Sequence, residues 1–192
     1  MGSPRNPDFQ GLIVRVSLAL TARQIPFMLI GGQAILLHGE PRLTQDIDVT
    51  LGVPPDHVPD VLSVAHSTGL NPLPEDPQAF AGETFVLPCE ETATGLRVDF
   101  IFSTMPYEAH AIGRAVRVAI EGEDVPFAAA EDLLLHKLFA GRPRDLEDAA
   151  GVVRRKGSEI DWYYVRKWAE EFAKIPGREE MPERVERLRR GV

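Results

Sequence analysis

Apolar positions recur along the chain in two rhythms, and the rhythm changes near residue 128. Over residues 8–23, DFQGLIVRVSLALTAR, the apolar side chains Phe9, Leu12, Ile13, Val16, Leu18 and Leu20 fall at helical spacing and predict a buried helix, despite Gly11. Residues 26–30, PFMLI, form a short apolar run that stops at Gly31-Gly32, the pattern of a buried strand. QAILLH (33–38) reads as a short helix opened by those glycines, and DIDVTL (46–51) alternates polar and apolar positions as a strand does. Pro54-Pro55 begins an expected helix over 55–67, and the Pro- and acid-rich residues 71–82 read as loop. FVLP (85–88) and GLRVDFIF (95–102) predict two strands with CEETAT as the turn between them. A helix is expected over 106–114, then a hairpin from 115–120 and 125–127 closed by Gly122. From 129 the period becomes helical: AAEDLLLHKLFA, RDLEDAAGVVRRK, DWYYVRKWAEEFAKI and a last segment from about 181. The expected architecture is α+β: a mixed sheet flanked by helices over 1–127, then a helical C-terminal region over 128–192 that completes the cleft.

Composition narrows this picture. The length of 192 residues suits one good core with a helical appendage, and 44% apolar with 26% charged residues is ordinary for a globular chain. No apolar run is long enough to span a bilayer, and no partner membrane is expected. The N-terminus lacks the basic and apolar regions of a secretory signal, and Met1–Ser3 has the look of either a cloning scar or a native start. Cys89 is the only cysteine, which excludes an internal disulfide and points to a reducing cytoplasm.

The net charge of −8 is unevenly spread. Residues 1–136 hold seven Lys+Arg against eighteen Asp+Glu, and residues 137–192 hold fourteen against eleven. An acidic front half suits a cation site. A basic tail fits either a polyanion or a solvated helix face with mixed charge.

The candidate chemistry lies in IGGQAILLHGEPRLTQDIDVT, residues 30–50. Asp46 and Asp48 are two apart on a strand, so their side chains leave the same face while Ile47 and Val49 point inward. Such close like charges repel, and a hard divalent cation between them removes that cost. Asp99 in GLRVDFIF offers a third carboxylate on a strand of the same apolar character. A strand that ends in Gly31-Gly32 and runs into a helix presents bare backbone N–H groups to an anion, and Gln33 adds a side-chain donor. Each piece alone has an ordinary structural explanation: a Gly-Gly turn, a solvated strand edge, an isolated strand Asp. Together and in this order they point to a triphosphate beside divalent metal. The histidines (38, 57, 66, 110, 136) show no ligand spacing, and Tyr164, Trp168 and Phe172 read as a core stripe.

This joint pattern resembles the signature of the polymerase-β-like nucleotidyltransferases, a Gly pair followed by D-x-D and a third Asp on a later strand. The longer run, with Arg42-x-Thr44-x-Asp46, looks like the first motif of the AbiEii and MenT group of toxin-type nucleotidyltransferases. EDLLLHKLFAGRPRDLEDAAGVV is similar to the later motifs of that group through Lys137, Arg142, Asp145 and Asp148. The likeness spans about residues 26–155.

The resemblance implies Asp46, Asp48 and Asp99 as catalytic residues holding two Mg²⁺ ions. It implies an NTP against Gly31, Gly32, Gln33, Arg42, Thr44 and Lys137, and a cleft role for Arg142, Asp145 and Asp148. Residue chemistry alone also allows Lys137 to snorkel beside the core, and Arg142 and Arg144 to pair with Asp145 and Asp148 at a helix start. By resemblance the acceptor is RNA, the tRNA 3′ end first, in a toxin with a cognate antitoxin. The alternatives are a small-molecule hydroxyl of antibiotic type, a protein hydroxyl, or a binding module without turnover.

Overall fold

A computed structural model describes residues 8–44 and 46–191; the Met1–Ser3 start lies outside the described residues. In chain order the first elements are α1 Phe9–Ala22, β1 Phe27–Leu29, α2 Gly31–His38 and β2 Asp46–Leu51. A 3₁₀ turn, Pro55–His57, leads into α3 Val58–Ser67, followed by β3 Leu70–Pro72, α4 Pro77–Thr84, β4 Val86–Glu91 and β5 Arg97–Ile101. Then come α5 Pro106–Gly113, β6 Val116–Ile120 and β7 Glu123–Phe127, and last α6 Ala130–Ala140, α7 Pro143–Lys156, α8 Trp162–Phe172 and α9 Met181–Arg190. The fold is α+β with a mixed sheet, as expected. Among the described residues no helix is long and apolar enough to cross a membrane.

The chain divides into two compact units. The first takes residues up to Ile30 and Thr44–Phe127; the second takes Gly31–Leu43 and Ala128 onward. Residues 31–43, expected with the core, group with the C-terminal helices because α2 packs on α6 and α7.

In the first unit the strands run β3-β4-β5-β2-β1-β7-β6 across one sheet. The central pairs β2–β5 and β1–β7 are parallel, and the others antiparallel. Alternation explains the core: Ile47, Val49, Val98 and Phe100 are fully buried while their polar neighbours face the other way. α1 buries Leu12, Ile13, Val16 and Leu20, and its Asp8 cap accepts a hydrogen bond from Gly11 N at 2.9 Å. The β6–β7 hairpin turns through Glu121 (φ 51°) and Gly122 (φ 88°), the left-handed pair that a tight hairpin needs.

Residues 71–82 are not all loop. Leu70–Pro72 adds a short edge strand to β4, and Pro77–Thr84 is a helix capped by Asp76, which accepts from Ala79 N at 3.0 Å. The prolines that look like breakers sit where proline is tolerated, at a sheet edge and in a helix first turn. β4 also extends past Pro88 to Glu91, into the expected turn, and Phe85 before it is left-handed (φ 60°) rather than extended.

The second unit is helical. α6 lies against α7, α8 and α9, and buries Leu133, Leu134 and Leu138. Tyr164, Trp168 and Phe172 stack along α8 with ring centroids 6.5 and 6.3 Å apart, and Phe172 meets Phe139 edge-on at 5.4 Å. They are a core stripe. The Tyr164 hydroxyl donates to Asp132 Oδ1 at 2.6 Å, so the buried carboxylate is satisfied. His38, the last residue of α2, hydrogen-bonds the Ala128 carbonyl through Nε2 at 2.8 Å.

Candidate active site

The first unit carries the carboxylates. β2 and β5 run parallel in register, with Asp46 opposite Arg97 and Asp48 opposite Asp99. Adjacent strands lie about 4.8 Å apart, and residues in register share a face, so Asp46, Asp48 and Asp99 stand on one patch of sheet. The structure brings together the three carboxylates that the sequence singles out. Arg97 was not among them; its guanidinium lies 4.0 Å from Asp99 Oδ1.

Burial raises the Asp99 carboxyl above its ordinary range; Arg97 pulls it back and the Asp46 charge pushes it up further. Asp99 Oδ1 is enclosed without a hydrogen-bond partner, and so is Thr50 Oγ1, the next residue on the Asp46–Asp48 face. An unpartnered buried carboxylate oxygen is costly unless something binds it. Among the described residues no three His, Cys, Asp or Glu side chains converge as a finished metal cage. That is the ordinary situation for Mg²⁺, which takes one or two carboxylates and draws its remaining ligands from water and substrate phosphate. The donors are all hard oxygens, so the set fits such an ion. Thr44, expected among the nucleotide contacts, spends its hydroxyl on the Asp46 carbonyl at 3.3 Å.

The second unit carries the glycines and the remaining polar residues. Gly31 opens α2 at φ 62°, a conformation that glycine adopts without strain, directly after the apolar run of β1. Gly32 is buried and Gln33 half-buried in the first turn of that helix. Its free N–H groups and dipole favour an anion.

Arg42, Lys137, Arg142, Asp145 and Asp148 form one ion cluster. Arg42 grips Asp148 with two bonds, Nε to Oδ1 at 2.9 Å and Nη2 to Oδ2 at 3.0 Å. Lys137 Nζ bridges Asp145 at 3.0 Å and Asp148 at 2.8 Å, and is only 7% exposed. Arg142 holds Asp145 from the solvent side at 2.6 Å. Burial alone would raise both carboxyls, but the hydrogen bonds from Arg142 and Lys137 on Asp145, and from Arg42 and Lys137 on Asp148, hold them below the usual carboxylate range. Arg142 meets Asp145 as expected at the helix start, whereas Asp148 pairs with the distant Arg42, and among the described residues no ion pair brings Arg144 into the cluster.

The basic tail is largely self-paired. Arg184, Arg187 and Arg190 each meet a glutamate one turn earlier, Glu180, Glu183 and Glu186. This is the mixed-charge helix face rather than a bare cationic stripe.

A family model for nucleotidyltransferases of unknown function (DUF6036) matches residues 12–188. The chain belongs to that family. It is therefore an enzyme of the nucleotidyltransferase class, whose members take an NTP with a divalent metal ion. A search of curated proteins finds no match. Among solved structures the fold is similar to ANT(2'')-Ia, an antibiotic-resistance factor, with a TM-score of 0.57 at 18% identity over 95% of this chain and 89% of that one. It is similar to LnuA, a lincosamide antibiotic adenylyltransferase seen with lincomycin, with a TM-score of 0.53 at 13% identity over 77% of this chain and 98% of that one. An antigenic nucleotidyltransferase-like protein from Paracoccidioides brasiliensis matches with a TM-score of 0.51 at 18% identity over 90% and 92% of the two chains. At these identities the likeness is one of fold. The narrower toxin-type placement rests on the sequence motifs alone.

Proposed function

We propose that this DUF6036 member transfers a nucleoside monophosphate from an NTP to a hydroxyl of a small molecule, using Asp46, Asp48 and Asp99. The observation that carries the reading is the in-register pair Asp48 and Asp99, with one enclosed Asp99 oxygen that accepts no hydrogen bond. Asp46 and Asp48 would hold Mg²⁺, with Asp99 available to a second ion, and the chemistry such ions would supply is neutralisation of phosphate charge and a lowered pKa of the acceptor hydroxyl. The backbone N–H groups of Gly31, Gly32 and Gln33 donate to phosphate oxygens. The acceptor oxygen attacks the α-phosphorus in line, the bond to pyrophosphate breaks, and Asp99 takes the hydroxyl proton. Burial, which raises the Asp99 carboxyl, favours its taking a proton. In this scheme Lys137 and Arg42 work through Asp145 and Asp148, holding residues 40–43 against α6 and α7, and the cleft role of Arg142 is the same restraint.

Two observations support a small acceptor over RNA. Three of the four arginines of α9 are paired with glutamates one turn earlier, which weakens the tail as a track for a phosphate backbone. The structural neighbours include ANT(2'')-Ia with adenylyl-2''-tobramycin and LnuA with lincomycin, both holding small molecules. The test is incubation with each α-labelled NTP, Mg²⁺ and a fractionated extract of metabolites, RNA and protein. Label in the small-molecule fraction, absent with Asp48→Asn, supports the reading. Label on a tRNA-sized band moves the assignment to the toxin-type acceptor.

A further inference from the structure

A recess of about 510 Å³ opens beside the carboxylate patch, on the first unit alone. Its floor is Pro88 and Arg97, on β4 and β5; its wall is the β3–α4 segment, with Leu73, Glu75, Phe80 and Glu83. Pro88 is the register partner of Asp99 across the β4–β5 pair, so the recess and the candidate base share one face of the sheet. The volume falls in the range of small-molecule pockets.

The lining has a definite chemistry. Leu73 and Phe80 are 46% and 39% exposed, large apolar surface left uncovered at the mouth of a recess. Glu75 and Glu83 form no ion pair among the described residues, and Asp76 adds a third carboxylate whose Oδ1 caps α4. Arg97 is the one cation of the lining, and it leans toward Asp99 rather than toward the acidic wall. Negative charge next to an apolar face repels a polyanion and attracts a cation with an apolar side.

Resting on the nucleotidyl-transfer reading, we propose that this recess is the acceptor site and that the acceptor is an amine-bearing polyhydroxyl compound of aminosugar type. Its ammonium groups face Glu75, Asp76 and Glu83, its ring lies on Leu73 and Phe80, and one hydroxyl reaches Asp99. That oxygen forms a bond to the α-phosphorus, the bond to the bridging oxygen breaks, and pyrophosphate leaves with the electron pair. The hydroxyl proton passes to Asp99 and then to water.

The probes are neamine, an aminocyclitol disaccharide with several amines, and its fully N-acetylated form, which keeps the hydroxyls and loses the charge. Each is titrated calorimetrically into the full chain with Mg²⁺ and a non-hydrolysable NTP analogue, after the analogue alone. Neamine is expected to bind at least about tenfold more tightly than the acetylated form, since several charge contacts are lost together. In turnover with labelled NTP, Glu75→Gln and Glu83→Gln should each raise the KM for neamine about two- to fivefold while kcat holds. Equal binding of the two probes, no binding of neamine, or an unchanged KM in both variants overturns the acceptor assignment. The NTP analogue tells the two readings apart. If wild type binds it and Asp48→Asn does not, nucleotidyl transfer stands although the acceptor site falls; if wild type does not bind it, both fall.

Discussion

Asp48 and Asp99 stand directly opposite one another on parallel strands, although 51 positions separate them in the chain. With Asp46 they gather negative charge on one patch of sheet, and one enclosed Asp99 oxygen accepts no hydrogen bond there. Binding a divalent cation with an NTP should therefore stabilise the fold. At a nucleotide concentration about a hundredfold above Kd the gain is about 2.7 kcal/mol. A thermal scan with and without Mg²⁺ and each NTP should show a higher Tm for wild type and none for Asp48→Asn. The apo variant should melt no lower than apo wild type, because it relieves like-charge repulsion. An equal nucleotide-dependent rise in both proteins would argue against the metal role.

The Lys137 ammonium is buried between two aspartates. Lys137→Met leaves Asp145 and Asp148 with only Arg142 and Arg42. Breaking a buried pair by removing one partner costs about 3–5 kcal/mol, and the remaining arginines should bring this to about 2–4 kcal/mol. Urea unfolding measures it. A variant that keeps its stability but loses NTP affinity would instead mean that Lys137 contacts nucleotide directly.

The same cluster sets an acid limit on stability. Asp145 and Asp148 have folded-state carboxyls held below their ordinary value. A depressed carboxyl binds fewer protons folded than unfolded, so its contribution is complete above the ordinary carboxylate range and is lost as pH falls through the folded value. Urea midpoints should fall from about pH 4 downward, and Asp148→Asn should flatten that limb from a lower starting stability.

His136 predicts a second, separate window. Its Nε2 is enclosed, and burial together with the Lys137 charge pushes its pKa down to about 4. The unfolded chain takes up this proton near pH 6.5, so stability should decline from about pH 6.5 to 4, by at most about 3 kcal/mol. His136→Gln should remove the slope in that interval. An unchanged slope would show that His136 charges freely in the folded protein.

The fold was readable where a residue pattern and a local physical cause coincide. The alternation in DIDVTL and GLRVDFIF marks strands with one buried face, and the face assignment of Asp46, Asp48 and Asp99 follows from it. Gly31-Gly32 marks the passage into α2 because few other residues tolerate φ 62° there. β3 and α4 were not readable, since Pro72, Pro74 and Pro77 carry the same signal in a loop, at a sheet edge and in a helix first turn. Asp76 before Pro77 was a usable cap signature within that segment. The grouping of residues 31–43 with the C-terminal helices, and the grip of Arg42 on Asp148 across 106 positions, are decided by packing that no local pattern encodes. The recess beside Asp99 is not legible in the sequence because α4, which forms its wall, is not.

Everything proposed for the site depends on metal-dependent nucleotidyl transfer at the Asp46, Asp48 and Asp99 patch. The most direct measurement is pyrophosphate release and label transfer with each α-labelled NTP, run for wild type beside Asp48→Asn and Asp99→Asn. Wild type should transfer label only with a divalent cation, and each folded variant should lose at least about a hundredfold in rate. Transfer by either variant at the wild-type rate would contradict nucleotidyl transfer at this patch.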